Sequence, residues 1–310
     1  MIRPLRVAVL MGGMSSEREV SLKSGRAIEN ALRTAGYDVR GVDVTDRELS
    51  TLNGYMPDVA FIALHGGFGE DGGVQAVLER KGIAYTGSGV VASKMAMNKV
   101  ASKEVFIEHG IPTPDYCAVT KRGTDTERRA CVESLGLPVV IKPVAEGSSV
   151  GVSIVKEMSQ LPAALEDGFR YSDHLLVERY IQGREITIGI LGDEALPVIE
   201  LRTKRQFYDY KAKYIDDDTE YIVNPDLGEE CTKRVKATAL RAHRVLGCKG
   251  LSRVDMMLDK EGKEYVLEIN TIPGFTNHSL LPKAAAAAGL EFPTLCDRIL
   301  KSAIGGNGSA

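Results

Sequence analysis

Over residues 5–86 the chain alternates short apolar runs with glycine turns and helix-spaced segments, a rhythm that points to a wound, parallel sheet. Residues 5–10 are an apolar, β-rich run that passes through Gly12-Gly13 into Ser16-Glu17-Arg18-Glu19, which reads as a capping box opening a helix. In that helix Val20, Ala27, Ile28, Ala31, Leu32 and Ala35 share one face, and Gly36 ends it. Strands are expected at 38–44, 59–64 and 83–86, with a short helix at 74–80. A helix over 93–109 then meets Gly110-Ile111-Pro112-Thr113-Pro114, a proline-bearing connection suited to a domain boundary, placed near 97.

A chain of 310 residues exceeds one compact core of ordinary size, so two or three domains around a cleft are expected. Residues 98–182 read as a small α+β unit: helix 127–135, strand 138–143, the loop Glu146-Gly147-Ser148-Ser149-Val150-Gly151, then strand, helix and strand 175–180. After Gly183, residues 183–310 carry strands at 185–191 and 196–201, a long polar loop, a helix over 229–246 and a hairpin over 254–269. An alanine-rich helix and the tail 305–310 follow, and no segment repeats another.

With 39 basic and 42 acidic residues the formal charge is −3, which offers no broad positive field to a nucleic acid, so small-molecule partners are expected. The apolar run 7–11 is far too short to span a membrane and precedes glycines instead of a cleavage site, which predicts a cytoplasmic protein with no membrane partner. Cys117, Cys131, Cys231, Cys248 and Cys296 form no CxxC pair and no zinc spacing with histidine, and are expected reduced.

The stretch richest in chemistry is Ser252-Arg253-Val254-Asp255 followed by Leu267-Glu268-Ile269-Asn270-Thr271-Ile272-Pro273-Gly274. Glu268 and Asn270 are two apart on one strand and leave the same face, with Asp255 on the adjacent strand. Oxygen ligands without histidine or cysteine suit Mg²⁺, which completes its shell with water and phosphates and so implies a nucleoside triphosphate. Carboxylates on a hairpin often just face solvent, but these sit between apolar neighbours. The Gly-Ser loop 146–151 can turn its N–H groups onto phosphate oxygens, with Lys142 adding a point charge, although no P-loop motif is present. Gly87-Ser88-Gly89-Val90-Val91-Ala92 matches the G-x-G-x-x-A dinucleotide fingerprint but follows the fourth strand candidate, and reads as a turn into a helix; an oxidoreductase is the rival it keeps open.

Taken in order, these stretches resemble the D-alanine:D-alanine ligase family of the ATP-grasp superfamily. The matches are Gly12-Gly13 with Glu17-Arg18-Glu19-Val20-Ser21, Leu64-His65-Gly66 with Gly69-Glu70-Asp71-Gly72, and Tyr85-Thr86-Gly87-Ser88-Gly89. Ile141-Lys142-Pro143 with the loop 146–151, Phe207-Tyr208-Asp209-Tyr210 with Lys213-Tyr214, and the acidic hairpin complete a resemblance that runs nearly end to end. It implies an α/β, three-domain ATP-grasp fold: an N-terminal Rossmann-like parallel-sheet domain (1–97) and two α+β domains (98–182 and 183–310) clasping ATP.

It also implies that two D-alanine molecules are joined through a D-alanyl phosphate for peptidoglycan synthesis, with ATP and two Mg²⁺ ions, Mn²⁺ as a substitute, and a homodimer. Lys99, Lys142 and Lys213 resemble the phosphate-binding lysines. Glu146, Ser149, Glu178, Arg179, Tyr180, Ile181, Glu185 and Phe207 complete the ATP site, and Asp255, Glu268 and Asn270 match the metal ligands. Glu17 corresponds to the residue receiving the ammonium of the first D-alanine, in contact with Ser148 and Tyr214, and His65 lies near its carboxylate. Arg253 and the Gly274 N–H would form the oxyanion site, while Ser279 and Leu280 hold the second D-alanine.

Read alone, Glu17 is a helix-dipole partner contributing at most about 1 kcal/mol, Arg253 a partner of Asp255, and His65 a satisfied core histidine. Asp216-Asp217-Asp218 reads as a solvated run. Residues 208–221 are the expected lid, and the resemblance at Tyr214 favours a dipeptide over a D-lactate depsipeptide; an ATP-grasp ligase taking D-lactate or D-serine as second substrate is the nearest rival. The chain departs from the commonest family pattern at Asn98, Tyr180, Asn277 and Lys283.

Overall fold

The computed structural model describes residues 5–203, 219–276 and 279–305. The alternation of the first segment becomes one parallel sheet. In it β1 (Arg6–Gly12) lies between β2 (Asp38–Val44) and β3 (Val59–Ile62), with β4 (Ala84–Tyr85) beyond β3. Val7 to Met11 are buried throughout, as a central parallel strand covered on both faces requires. Helix α1 (Arg18–Thr34) closes one face with Ile28, Ala31 and Leu32, and α2 (Gly73–Arg80) the other with Val74, Val77 and Leu78.

The capping box expected at Ser16–Glu19 does not form. Glu17 is the N-cap of α1 and makes no side-chain cap bond; its carboxylate instead accepts a bond from Ser148, and the Glu17 N–H donates to Ser15 Oγ at 3.2 Å. The single helix expected over 93–109 is likewise broken, into α3 (Val90–Met97) and α4 (Lys99–Glu108). Asn98 between them is extended (φ −89°, ψ 100°), and its side chain accepts the Ala101 N–H at 3.1 Å. Asparagine caps as well as aspartate, so the departure at Asn98 leaves the helix start intact. Gly89 is the N-cap of α3, and the fingerprint at 87–92 is a turn into a helix after a two-residue strand.

The second sheet is antiparallel. Its order is β5 (Tyr116–Thr120), β8 (His174–Arg179), β6 (Val139–Pro143) and β7 (Ser153–Val155), backed by α5 (Asp125–Leu135) and α6 (Leu161–Gly168). Cys117 on β5 and Cys131 on α5 are joined in a disulfide, which corrects the expectation of five reduced cysteines; Cys231, Cys248 and Cys296 are free. The helix packs back on the strand and brings their Cα atoms to 6.0 Å, a proximity that a separation of 14 residues does not announce.

The third sheet is also antiparallel, in the order β11 (Thr219–Val223), β10 (Glu194–Thr203), β9 (Gly183–Leu191), β12 (Leu251–Asp259), β13 (Glu264–Asn270). Helix α7 (Glu229–Val245) packs Val235, Ala239 and Ala242 against Ile186, Ile188, Val254 and Met256. On the far side α8 (Leu280–Ala287) and α9 (Phe292–Gly305) share one core with the first sheet, Leu295 and Ile299 beside Val7 and Val9. Phe275 meets Phe61 edge-on at 5.8 Å, and its N–H donates to Ser24 Oγ at 3.2 Å. The segment after β13 is thereby anchored on α1, the helix that Glu17 opens. No described helix is long and apolar enough to cross a membrane.

His243 on α7 and Ser252 on β12 are buried and bonded, Nδ1 to Oγ at 2.7 Å, directly behind Arg253. Burial pushes the imidazole down to about 4. The unfolded chain therefore binds a proton between about pH 6.5 and 4 that the folded protein refuses, and stability falls on acidification by roughly 3 kcal/mol over that window. Urea unfolding of the wild type and His243→Gln across it should show the steeper acid loss in the wild type. Equal slopes would assign the acid sensitivity to other groups.

Candidate active site

A cleft of about 510 Å³ opens between the second and third sheets. Val140 and Ile154 wall it on one side, Leu201, Met257 and Leu267 on the other, while Lys99, Lys142, Glu178, Glu185, Asp255 and Glu268 supply charge. Such an apolar slot with a few convergent ionic groups suits a ligand with a flat apolar body and a charged end.

The alternation of the hairpin sets the polar wall. Asp255 lies directly opposite Glu268, and Arg253 opposite Asn270, so the four side chains leave one face while Val254, Met256 and Ile269 are buried behind them. The ladder shifts between Asp255 and Met256, where Met256 pairs with Val266. Leu267 is the extra residue of a bulge, and it and Glu268 both line the cleft although they are sequence neighbours.

Arg253 grips Asp255 with two bonds, Nε to Oδ1 at 2.9 Å and Nη2 to Oδ2 at 2.6 Å, and Thr187 Oγ1 donates to Oδ1 at 2.6 Å. The plain pairing of Arg253 with Asp255 is thus present. Asn270 Oδ1 accepts the Ile272 N–H at 2.9 Å, which fixes the amide oxygen. Among the described residues no three His, Cys, Asp or Glu side chains converge on a metal position. The expected trio is two carboxylates and an amide, an all-oxygen set matched to Mg²⁺, which needs few protein ligands. These residues fit the ion.

Across the cleft Lys99 Nζ donates to the Glu146 carbonyl at 2.6 Å and lies 3.4 Å from Glu268. Deeper in, Lys142 donates to Glu178 Oε1 at 2.5 Å, and Lys103 faces Oε2 at 3.0 Å, off the line of a good hydrogen bond. Burial works against the charge on Glu178, yet the two ammoniums prevail and hold its pKa below the ordinary value. Burial opposes Lys142 too, and Glu178, Glu268 and Glu185 override it, holding that ammonium above its usual value. Lys103 was not among the residues singled out from sequence, although it follows Lys99 by one helical turn.

At the rim, Ser148 and Ser149 take left-handed backbone (φ 53° and 58°), and the Ser148 hydroxyl donates to Glu17 Oε1. Glu17 also lies against Gly66 (φ +70°), where a Cβ would fall 2.8 Å from its Oε2. His65 is buried, with Nε2 3.4 Å from Ser24 Oγ and Nδ1 3.8 Å from Glu70. A Cβ on Gly274 would fall 2.7 Å from Ser279 Oγ, which accepts the Thr276 N–H at 2.9 Å. Glu17, His65, Ser148, Gly274 and Ser279 therefore gather where α1, the Gly-Ser loop and the segment after β13 meet; Leu280 opens α8 beside Ser279 and is buried. Arg179, Tyr180 and Ile181 line the cleft with Ser149, and Arg179 pairs with Asp115 at 3.0 Å. Lys283 lies over the Tyr221 ring at 4.1 Å. Phe207, Lys213, Tyr214, Asn277 and Asp216-Asp217-Asp218 fall outside the described residues; the lid expected over 208–221 ends within β11, its last three residues being strand.

A family model described as the D-ala D-ala ligase C-terminus matches residues 105–301. A D-alanine–D-alanine ligase of Geobacter sulfurreducens is 51% identical over 303 residues, 97% of this chain and 95% of the relative. The D-alanine–D-alanine ligase of Bacillus anthracis in its complex with ATP is 38% identical with a TM-score of 0.86, covering 98% of each chain. The D-Ala:D-Ser ligase VanG of Enterococcus faecalis is 28% identical with a TM-score of 0.85, covering 97% of this chain and all of that one.

Proposed function

The chain belongs to the D-alanine–D-alanine ligase family, and on that premise we propose that it joins two D-alanine molecules into D-alanyl-D-alanine while ATP becomes ADP and phosphate. The dipeptide serves peptidoglycan synthesis. A D-serine or D-lactate product is disfavoured, since identity is 51% to a D-alanine–D-alanine ligase and 28% to the D-Ala:D-Ser enzyme. The observation that carries the reading is that Glu17 and Ser148, 131 residues apart, meet beside the loop that Lys99 also engages. In this reading an amino-acid ammonium site adjoins a phosphate site.

A carboxylate is a poor electrophile, and ATP remedies this by converting the carboxylate of the first D-alanine into an acyl phosphate. In this reading Glu17 receives the ammonium of that D-alanine, Ser148 and Tyr214 fix Glu17, and His65 adjoins the carboxylate. Lys99, Lys142 and Lys213 neutralise the phosphates, with Glu146, Ser149, Glu178, Arg179, Tyr180, Ile181, Glu185 and Phe207 around the nucleotide. Asp255, Glu268 and Asn270 would hold two Mg²⁺ ions, or Mn²⁺ in their place, and such ions supply charge neutralisation during phosphoryl transfer. Ser279 and Leu280 orient the second D-alanine, whose amine attacks the acyl carbon. Arg253 and the Gly274 N–H stabilise the oxyanion, and phosphate departs as the amide forms. Water has to be kept from the acyl phosphate until the amine has attacked. We place this activity in a cytoplasmic homodimer, with the chain divided at 97/98 and 182/183.

Phosphate release from Mg-ATP, with D-alanine, L-alanine, D-lactate and D-serine offered singly and in pairs and the products weighed, tests the reading. D-Alanine alone should give dialanine and equimolar phosphate. Turnover that requires a mixed pair would change the product, and no turnover with any pair would defeat the assignment.

A further inference from the structure

Lys103 has no role in the mechanism above, yet its side chain is completely buried. Its ammonium lies 2.7 Å from Thr113 Oγ1, 3.2 Å from the Pro114 carbonyl and 3.0 Å from Glu178 Oε2, with the Tyr116 ring centroid at 5.5 Å. Thr113 Oγ1 donates in turn to the Val266 carbonyl at 2.8 Å, and the Val266 N–H donates to the Pro112 carbonyl at 2.8 Å. Val266 immediately precedes Leu267 and Glu268, the bulge that faces the cleft. One ammonium thus stands between Glu178 on the second sheet and the acidic strand of the third.

We infer that Lys103 is a positioning residue for nucleotide binding, holding Glu178 and the Leu267–Glu268 bulge at one fixed separation. A purely structural cation would need only some counter-ion. Lys103 instead shares its counter-ion with Lys142, a cleft lysine: one takes Oε2 and the other Oε1. With Lys103 removed, Lys142, already 2.5 Å from Glu178, becomes the only ammonium among these contacts for a buried carboxylate and is held on it more strongly, less free to turn to a bound phosphate. The Thr113 bridge then also loses its donor, so the Val266 carbonyl keeps its bond while the link to Glu178 is broken. Burial already pushes the Lys103 ammonium down to about 8, so its charge persists at neutral pH in part through Glu178.

The inference rests on the nucleotide reading of the cleft. Its test is the dissociation constant of Mg-ATP, measured by calorimetry on wild type, Lys103→Met, Thr113→Val, Glu178→Gln and the Lys103→Met/Glu178→Gln double variant. Lys103→Met should weaken ATP about tenfold and Thr113→Val about threefold, with KM for D-alanine within about twofold of wild type. In the Glu178→Gln background Lys103→Met should add less than about twofold, because its path to the nucleotide is already cut. Unchanged ATP affinity in folded Lys103→Met, or the same loss in both backgrounds, overturns the inference alone. Should Lys103→Met not fold, Thr113→Val decides, and wild-type affinity there overturns it. A wild type that binds no ATP overturns the nucleotide reading along with it.

Discussion

Arg253→Met should lower kcat by about 10²–10³, the loss expected when one donor to a developing oxyanion is removed. The guanidinium lies on the cleft face of β12 and is largely buried, 14% of its side chain exposed, so its interaction with a charge forming beside it is poorly screened. In the structure the same group forks onto Asp255, and two tasks are therefore open to it. If it serves the oxyanion, removing it weakens the chemical step while Asp255, relieved of a competing cation, binds Mg²⁺ at least as tightly. If its task is to hold Asp255 in place, the Mg²⁺ concentration for half-maximal activity should rise and kcat should recover at high Mg²⁺. A magnesium titration of both enzymes separates the two. Recovery of full kcat at saturating Mg²⁺ would remove Arg253 from the oxyanion site. Arg253→Lys should rescue little, since a single ammonium cannot reproduce the two-pronged geometry.

The parts of this architecture legible in sequence are those where a period repeats. The α1 face through Ile28, Ala31 and Leu32 and the buried run of β1 follow from spacing, and so does the common face of Glu268 and Asn270. Where one residue breaks the period the sequence is silent: Leu267 opens an alternating Leu-Glu-Ile-Asn run that would turn it away from the face of Glu268, and it still reaches the cleft because the bulge lies in the pairing with β12. Asn98 splits a helix for a similar reason, its side chain offering a cap that competes with continued helix. Contacts made by the fold alone were not readable from spacing. Glu17 with Ser148 came only through the family resemblance, and Cys117 with Cys131 and Lys103 with Glu178 did not come at all. Lys103 had one local signal, its place one turn beyond Lys99, and a lysine at that spacing ordinarily points into solvent.

The second large effect is on stability. Glu178→Ala should lower the unfolding free energy by about 3–5 kcal/mol, since it leaves two buried ammoniums, Lys103 and Lys142, without the carboxylate they share. The pH dependence identifies the cause. In the wild type the Glu178 pKa is held below its ordinary value, so its contribution is present at neutral pH and lost as pH falls through the acid range. In the variant Lys103 loses the charge that sustains its proton, and its pKa falls below the wild-type position of about 8. The folded variant then sheds a proton that its unfolded chain keeps, so its stability rises with pH toward 8, by at most about 1.4 kcal/mol per unit. Below about pH 7 the wild-type Lys103 is still protonated in both states and contributes no slope, and its own rise sets in only as pH nears 8. Chemical unfolding of both proteins from pH 6 to 8 should therefore show the deficit narrowing as pH rises. A deficit independent of pH would mean that the lost stability comes from the cavity left by the side chain, and that the two lysines find other counter-charges when Glu178 is gone.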